Sequence, residues 1–316
     1  MTAATVSRLG DIDLGGSDFT QLFLKLFAGE VLTAFEETVI LKGMTRQRTI
    51  TSGKSAQFPA TFNTTTTYHT PGAELVGKEI RHNEVVIAVD DLLVSDVFIA
   101  EWDEAVNHYD VRAPYSNALG RALALTYDQN ISRTLVASAR GAALFTGDTG
   151  GQSVTDADGR TSATSLAASI WAAKQAMEEA EVPVEQQMVH AALLPAQWYL
   201  LAQEPTLILN RDVDGDGSYS RGTFSLIGGV DVSKSNSLRW GQNDSGLSTG
   251  PTKYKVDMTN TIAVVFTEDA AATVQLKGLA LESERDIRRQ GTLMVGKYAV
   301  GHGLLRSKCA VELKTA

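Results

Sequence analysis

The chain has one cysteine, Cys309, in 316 residues. No internal disulfide can form, so stability must come from a packed core, and the pattern fits a reducing cytoplasm. Long apolar runs are missing too. Stretches such as Ile262-Ala263-Val264-Val265-Phe266 fall far short of the ~20 residues a helix needs to cross a bilayer. The opening residues, MTAATVSRLGDIDLGGSD, lack a basic start followed by an apolar segment, so no secretory signal is expected. Positive charge is in deficit, with 28 Lys and Arg against 37 Asp and Glu and a formal net charge of −9. Such a surface repels a phosphate backbone on average, which argues against a protein built to grip nucleic acid. The five histidines are scattered and form neither HExxH nor a Cys/His cluster at zinc spacing.

The apolar fraction, 43%, is that of a protein that buries a core. Within it, Ser52-Gly53-Lys54-Ser55-Ala56-Gln57-Phe58-Pro59 contains the Gly-Lys-Ser tail of a phosphate loop, which would make Lys54 the lysine of a nucleotide hydrolase. The context is wrong. Arg48 stands where the loop needs its first glycine, and Pro59 follows too soon for the helix whose amides would cradle phosphate. An extended polar ribbon is the better reading. Asp212-Val213-Asp214-Gly215-Asp216-Gly217 matches the opening of a calcium loop, but Thr223 occupies the place of the bidentate glutamate. It reads as a polar surface loop. Glu104 and His108 are one helical turn apart and read as a surface ion pair. Cys309 has no activating neighbour. No group of residues assembles a nucleophile, base and oxyanion site, so no catalytic, cofactor-binding or metal-binding residue is assigned. The residues point to a non-enzymatic protein that assembles.

Along the chain, residues 17–42 carry Phe19, Leu22, Phe23, Leu26, Phe27, Val31, Leu32 and Phe35 at helical spacing. This stripe calls for a surface on the fold or on a neighbour. Residues 43–93 read as two extended arms around a turn-rich tip, a long hairpin with little core of its own. A short helix is predicted over 95–110. Tyr115, Leu119, Leu123, Tyr127, Ile131 and Leu135 recur every fourth residue, predicting a helix about 40 Å long that stops near Gly141. A loop over 147–162 forms the internal boundary. Helices and strands then alternate from 162 to 266, predicting a compact α/β unit. The remainder reads as strands and one helix returning onto the long helix. The Arg285-Asp286-Ile287-Arg288-Arg289 cluster reads as a solvated face or a source of salt bridges between subunits.

Five blocks occur in order: Phe23–Phe35, Ser52–Pro59, Thr70–Leu75 (TPGAEL), Ala105–Arg112 (AVNHYDVR) and Lys297–Arg306 (KYAVGHGLLR). Together they resemble the major capsid proteins of short-tailed, T-odd-type tailed phages, and the resemblance covers most of the chain. It implies the HK97-like capsid fold, of α+β class. Residues 1–45 would be the N-terminal arm and 46–92 the extended loop that crosses a neighbouring subunit. Residues 93–161 would form the peripheral domain with its spine helix, 162–266 the axial domain, and 267–316 the returning peripheral strands.

The implied function is self-assembly, as pentamers and hexamers, into the icosahedral head enclosing a double-stranded DNA genome. The implied partners are further copies of the chain, a scaffolding protein and a portal during assembly, and weakly contacted packaged DNA, with no membrane. The location would be the virion, after assembly in the bacterial host cytoplasm. Lys54, Gln57, Phe58 and Arg112 are the candidate subunit-interface residues, although Phe58 also fits a simple packing role. No covalent cross-link between subunits is assigned. Two other classes stand beside this reading: an encapsulin-type nanocompartment shell, and the nucleotide hydrolase using Lys54.

Overall fold

The computed structural model describes residues 39–316, apart from 65, 73, 107–111, 205–225, 249 and 316. The N-terminal stripe from Phe19 to Phe35, His108 and the Asp212–Asp216 loop therefore lie outside the described residues. One long helix, α2 (Arg112–Ala139), lies between two sheets. The first sheet has strand order β1-β10-β11-β4, with β1 Arg46–Thr49, β4 Leu93–Ala100, β10 Ala271–Asp286 and β11 Gly291–Leu304. Strands β10 and β11 form a long antiparallel hairpin running from Ala271↔Leu304 to Asp286↔Gly291. Strand β1 joins β10 in parallel, and β4 joins β11 antiparallel.

The second sheet has order β5-β12-β9-β6-β8-β7, built from β5 Gln152–Thr155, β6 Val189–Leu193, β7 Leu226–Ile227, β8 Val230–Lys234, β9 Thr261–Thr267 and β12 Ala310–Lys314. All seven residues of β9 are buried, as a central strand covered on both faces must be. Helices α3 (Ala163–Glu179) and α4 (Pro195–Ala202) pack on this sheet. Ser162 caps α3, its hydroxyl oxygen accepting from the Ser165 amide at 3.3 Å. Pro195 opens α4 at the position where a missing N–H does no harm.

Position along α2 decides what each residue meets. Ile131 to Val136 are buried on every side, so the polar members need partners. The Ser132 hydroxyl donates to the Gln129 carbonyl at 2.8 Å, and Ser138 to the Ala270 carbonyl at 2.9 Å. The Arg133 Nε donates to Asp244 at 2.8 Å, while Arg239 donates to the same carboxylate at 2.6 and 3.0 Å. Burial alone would raise the pKa of Asp244, but the two guanidinium groups outweigh it and hold the carboxylate below its ordinary value. Two turns on, Arg140 donates to both oxygens of buried Glu312 at 2.6 and 2.7 Å. These pairs rivet the helix to the α/β layer.

The long helix, α3, α4, β6 and β9 follow the sequence pattern. Other elements differ from it. The short helix predicted over 95–110 is confined to α1 (Glu101–Val106) in the described part, because Leu93–Ala100 pairs with β11 as strand β4. Strand pairing there overrides local helical spacing. The boundary loop contains β5, and β5 and β12 complete the α/β sheet from outside residues 162–266. The helix expected in the returning segment is absent among the described residues, which form strands β10, β11 and β12 with 3-10 turns at Glu268–Ala270 and Ser307–Cys309. Strands β7 and β8 form a tight hairpin, whose turn glycines Gly228 and Gly229 have φ of 62° and 78°. No described helix is long and apolar enough to cross a membrane.

Asp244→Ala strands two guanidinium groups in a buried site and is expected to destabilise the subunit by about 3–5 kcal/mol. The midpoint of denaturant unfolding measures it.

Candidate subunit interface

The segment after β1 leaves the body as a two-stranded ribbon, β2 (Ser55–Thr61) and β3 (His82–Ala88), paired from Ser55↔Ala88 to Thr61↔His82. Its strands are both edges, which is where Pro59 can be tolerated. Alternation along β2 puts Ala56, Phe58 and Ala60 inward and the intervening residues outward. Ala56 and Phe58, with Ile87 and Val89, pack on Ala272, Val274, Ala299 and Leu305. Such close approach requires small residues beneath. A Cβ at Gly301 would run into the Ala88 carbonyl, and one at Gly303 would stand 2.8 Å from Ile87 Cγ1.

Backbone bonds fix the base of the ribbon. The Val89 amide donates to the Lys54 carbonyl at 2.7 Å, and the Asp90 amide to the Val300 carbonyl at 3.1 Å. Asp90 then takes an ion pair from Lys253 at 2.6 Å and a hydrogen bond from the Tyr254 hydroxyl. Burial, together with the Asp90 carboxylate, raises the Tyr254 pKa far above its usual value. The same hydroxyl accepts from the His302 amide at 3.2 Å. His302 lies fully buried, its ring edge-on to Tyr127 at 4.8 Å and its Nδ1 2.9 Å from the Thr273 hydroxyl. Burial, aided by the positive charge of Lys253, pushes its pKa down from 6.5 to about 3. The imidazole is therefore neutral at physiological pH.

Further out, the ribbon is latched to the loop that follows α2. Arg81 donates to the Thr146 carbonyl at 3.0 Å and Asn83 to the Leu144 carbonyl at 2.8 Å. Phe62 stacks on Phe145 with ring centroids 5.1 Å apart, and the Arg81 guanidinium covers Phe62 at 4.9 Å. Beyond Phe62 the described tip residues form no strand or helix and stand in solvent. Tyr68, Leu75 and Val76 are at least 80% exposed, and Ile80 is about half exposed. Long excursions without their own secondary structure are usually functional. Exposed aromatic and aliphatic side chains on one suit it to a second protein surface.

The predicted interface residues divide. Lys54 is exposed at the ribbon's base, after Gly53 with φ of 96°. The chain runs from Lys54 directly into strand β2, so no helix N-terminus aims amides at a phosphate, and the hydrolase geometry is absent. Gln57 points outward from β2, its carbonyl accepting from Arg48 at 2.6 Å. Phe58 is buried against its own chain, with the Arg48 guanidinium 5.5 Å above its ring. Arg112 opens α2, and its side chain lies outside what is described. The basic cluster at 285–289 occupies the exposed tip of the β10–β11 hairpin, where Arg285 pairs with Glu101 at 2.7 Å. Arg81, Asn83 and the tip side chains Tyr68, Leu75 and Val76 went unassigned in the sequence. The one available signal was that Tyr68, Leu75 and Val76 sit in a segment with no periodicity to bury them.

Comparison with known proteins gives consistent matches. The profile of the family described as Gp10A-like major capsid protein matches residues 57–314. The chain is 32% identical to the major capsid protein of Enterobacteria phage T3, over 93% of this chain and 91% of that one. It is 31% identical to the major capsid protein of Escherichia phage T7, over 94% and 92%. The capsid structure of cyanophage P-SCSP1u superposes with a TM-score of 0.82 at 39% identity, over 100% of this chain and 99% of that one. The architecture is the α+β, HK97-like phage-capsid fold.

His302 gives the subunit an acid liability. Its folded pKa lies below the unfolded value, so its contribution is complete above pH 6.5 and is lost as pH falls towards 3. Across that window stability should fall by about 1.4 kcal/mol per pH unit. Urea unfolding from pH 7 to pH 5, above the range where carboxylates titrate, measures the slope, and His302→Gln should flatten it.

Proposed function

The chain belongs to the Gp10A-like family of tailed-phage major capsid proteins, which build the icosahedral head, and on that premise we propose how its surface serves assembly. The protein has a structural role and performs no catalysis. The extended ribbon is the arm by which one subunit reaches another, with Tyr68, Leu75, Val76 and Ile80 as its contact side chains. The observation carrying this reading is the ribbon itself. Its stem is held by buried packing, two backbone bonds and the Arg81–Asn83 latch, while its apolar tip is left in water. A rigid stem keeps low the entropy lost when the tip docks.

Lys54, Gln57 and Arg112 are proposed as interface residues along the same arm and at the start of the spine helix. Phe58 acts indirectly, by holding β2 on β10 and β11. In this proposal the subunits form pentamers and hexamers that enclose double-stranded DNA. Assembly proceeds with a scaffolding protein and a portal in the host cytoplasm, and the acidic balance leaves packaged DNA weakly held.

Electron microscopy of purified particles, with their nucleic acid measured, tests the whole reading. Closed shells containing double-stranded DNA are expected. Shells filled with protein cargo would indicate a nanocompartment instead. Tyr68→Ala combined with Leu75→Ala should leave subunit stability within about 0.5 kcal/mol yet reduce the yield of closed shells at least tenfold. Phe58→Ala should instead cost about 3–5 kcal/mol of subunit stability, read from the unfolding midpoint.

A further inference from the structure

The described chain begins at Val39 beside a small apolar groove of about 100 Å³ on the flank of α2. Gly120, Leu123, Ala124 and Tyr127 from the helix and Tyr298 from β11 line it, and Lys42 stands at its edge. A dry cavity of about 150 Å³ can hold a benzene ring, so the groove suits one apolar side chain.

Gly120 makes this groove unusual. A glycine inside a helix costs about 1 kcal/mol relative to alanine. Nothing in the described fold requires it, because a Cβ at 120 would meet no atom within 4 Å. Glycine is kept where another segment must come close. The chain's own direction says which segment. The Ile40 amide donates to Asp128 at 3.2 Å, and Val39 lines the groove, whose helix residues, Gly120 to Tyr127, all precede Asp128. Followed backwards, the chain is therefore heading along α2 towards Gly120. Phe35 is four residues before Val39, and Gly120 four before Ala124. In a helix both intervals are about 6 Å, so the spacings match. The same stretch carries Val31 and Leu32 on its apolar stripe, and its Glu36 and Glu37 are opposite in charge to Lys42.

We propose that residues 31–38 of the same chain dock along α2, with Phe35 filling the groove over Gly120. This tethers the N-terminal arm to the spine helix of its own subunit and fixes where the rest of the arm departs.

Full-length Phe35→Cys/Gly120→Cys protein, mildly oxidised, tests the geometry, and the non-reducing gel can be read on subunits or on shells. Cys309 is buried with its thiol pKa raised by burial, and so does not compete. The expected result is a disulfide within one chain in most molecules. Phe35→Cys/Ala122→Cys, with its second cysteine on the exposed face of α2 away from the groove, should form it at least tenfold less. A disulfide between chains, no disulfide in a variant with an unchanged unfolding midpoint, or one formed as readily with Ala122→Cys would overturn the proposal.

Discussion

The structure depends on burying one helix between two sheets. A helix facing a single layer needs one apolar stripe, but a helix with layers on both sides must also bury its polar positions, and each of these then requires a partner. Over Ile131–Val136 the helix is buried all round. The requirement is met by Arg133 and Arg239 on Asp244, with Arg140 on Glu312 a little further along. Buried pairs of this kind contribute modest net stability, but removing one partner is severe. They therefore act as registration pins, fixing α2 in rotation and translation against the α/β layer. The opposite flank of α2 meets the four-stranded sheet through Tyr127 and Tyr298, whose rings lie 5.7 Å apart.

That rigid centre gives the ribbon a fixed point of departure. The ribbon has too little core to stand alone, since two strands in water are marginal at best. It borrows stability at the base, from Gly301 and Gly303 beneath it and the Asp90–Tyr254–His302 cluster beside it, and again at mid-length from Leu144 and Thr146. At the tip, Tyr68, Leu75 and Val76 stand in solvent. On the proposed function, a stiff stem with an apolar tip suits a repeating shell, in which a neighbouring copy would cover those side chains.

Much of this was legible in the sequence. The every-fourth-residue row from Tyr115 to Leu135 located α2, because helical spacing is local. Alternation located the ribbon, and its lack of core signalled an assembling protein. The phosphate-loop tripeptide fails on Arg48 and Pro59 by sequence alone. Five short blocks in order carried the resemblance to phage capsid proteins. Sequence spacing misjudged Leu93–Ala100, whose strand identity depends on pairing with β11 nearly 200 residues away in the chain. It also missed β5, a four-residue strand that exists because β12 supplies its ladder.

The sequence by itself determined the local periodicities, the lack of an internal disulfide and of any apolar run long enough for a membrane-crossing helix, and the family. The tertiary structure decided which faces those periodicities bury. Phe58 proved to be an inward packing residue while its neighbour Gln57 faces out, because the pleat directs alternate side chains to opposite sides and only the packed neighbour defines the inside; Lys54 is exposed because it lies in the bend before the strand. It also decided which glycines matter: Gly301 permits contact that the described chain makes, and Gly120 leaves room that it does not fill. Both are single letters in the sequence, and only the distance to the nearest atom tells them apart.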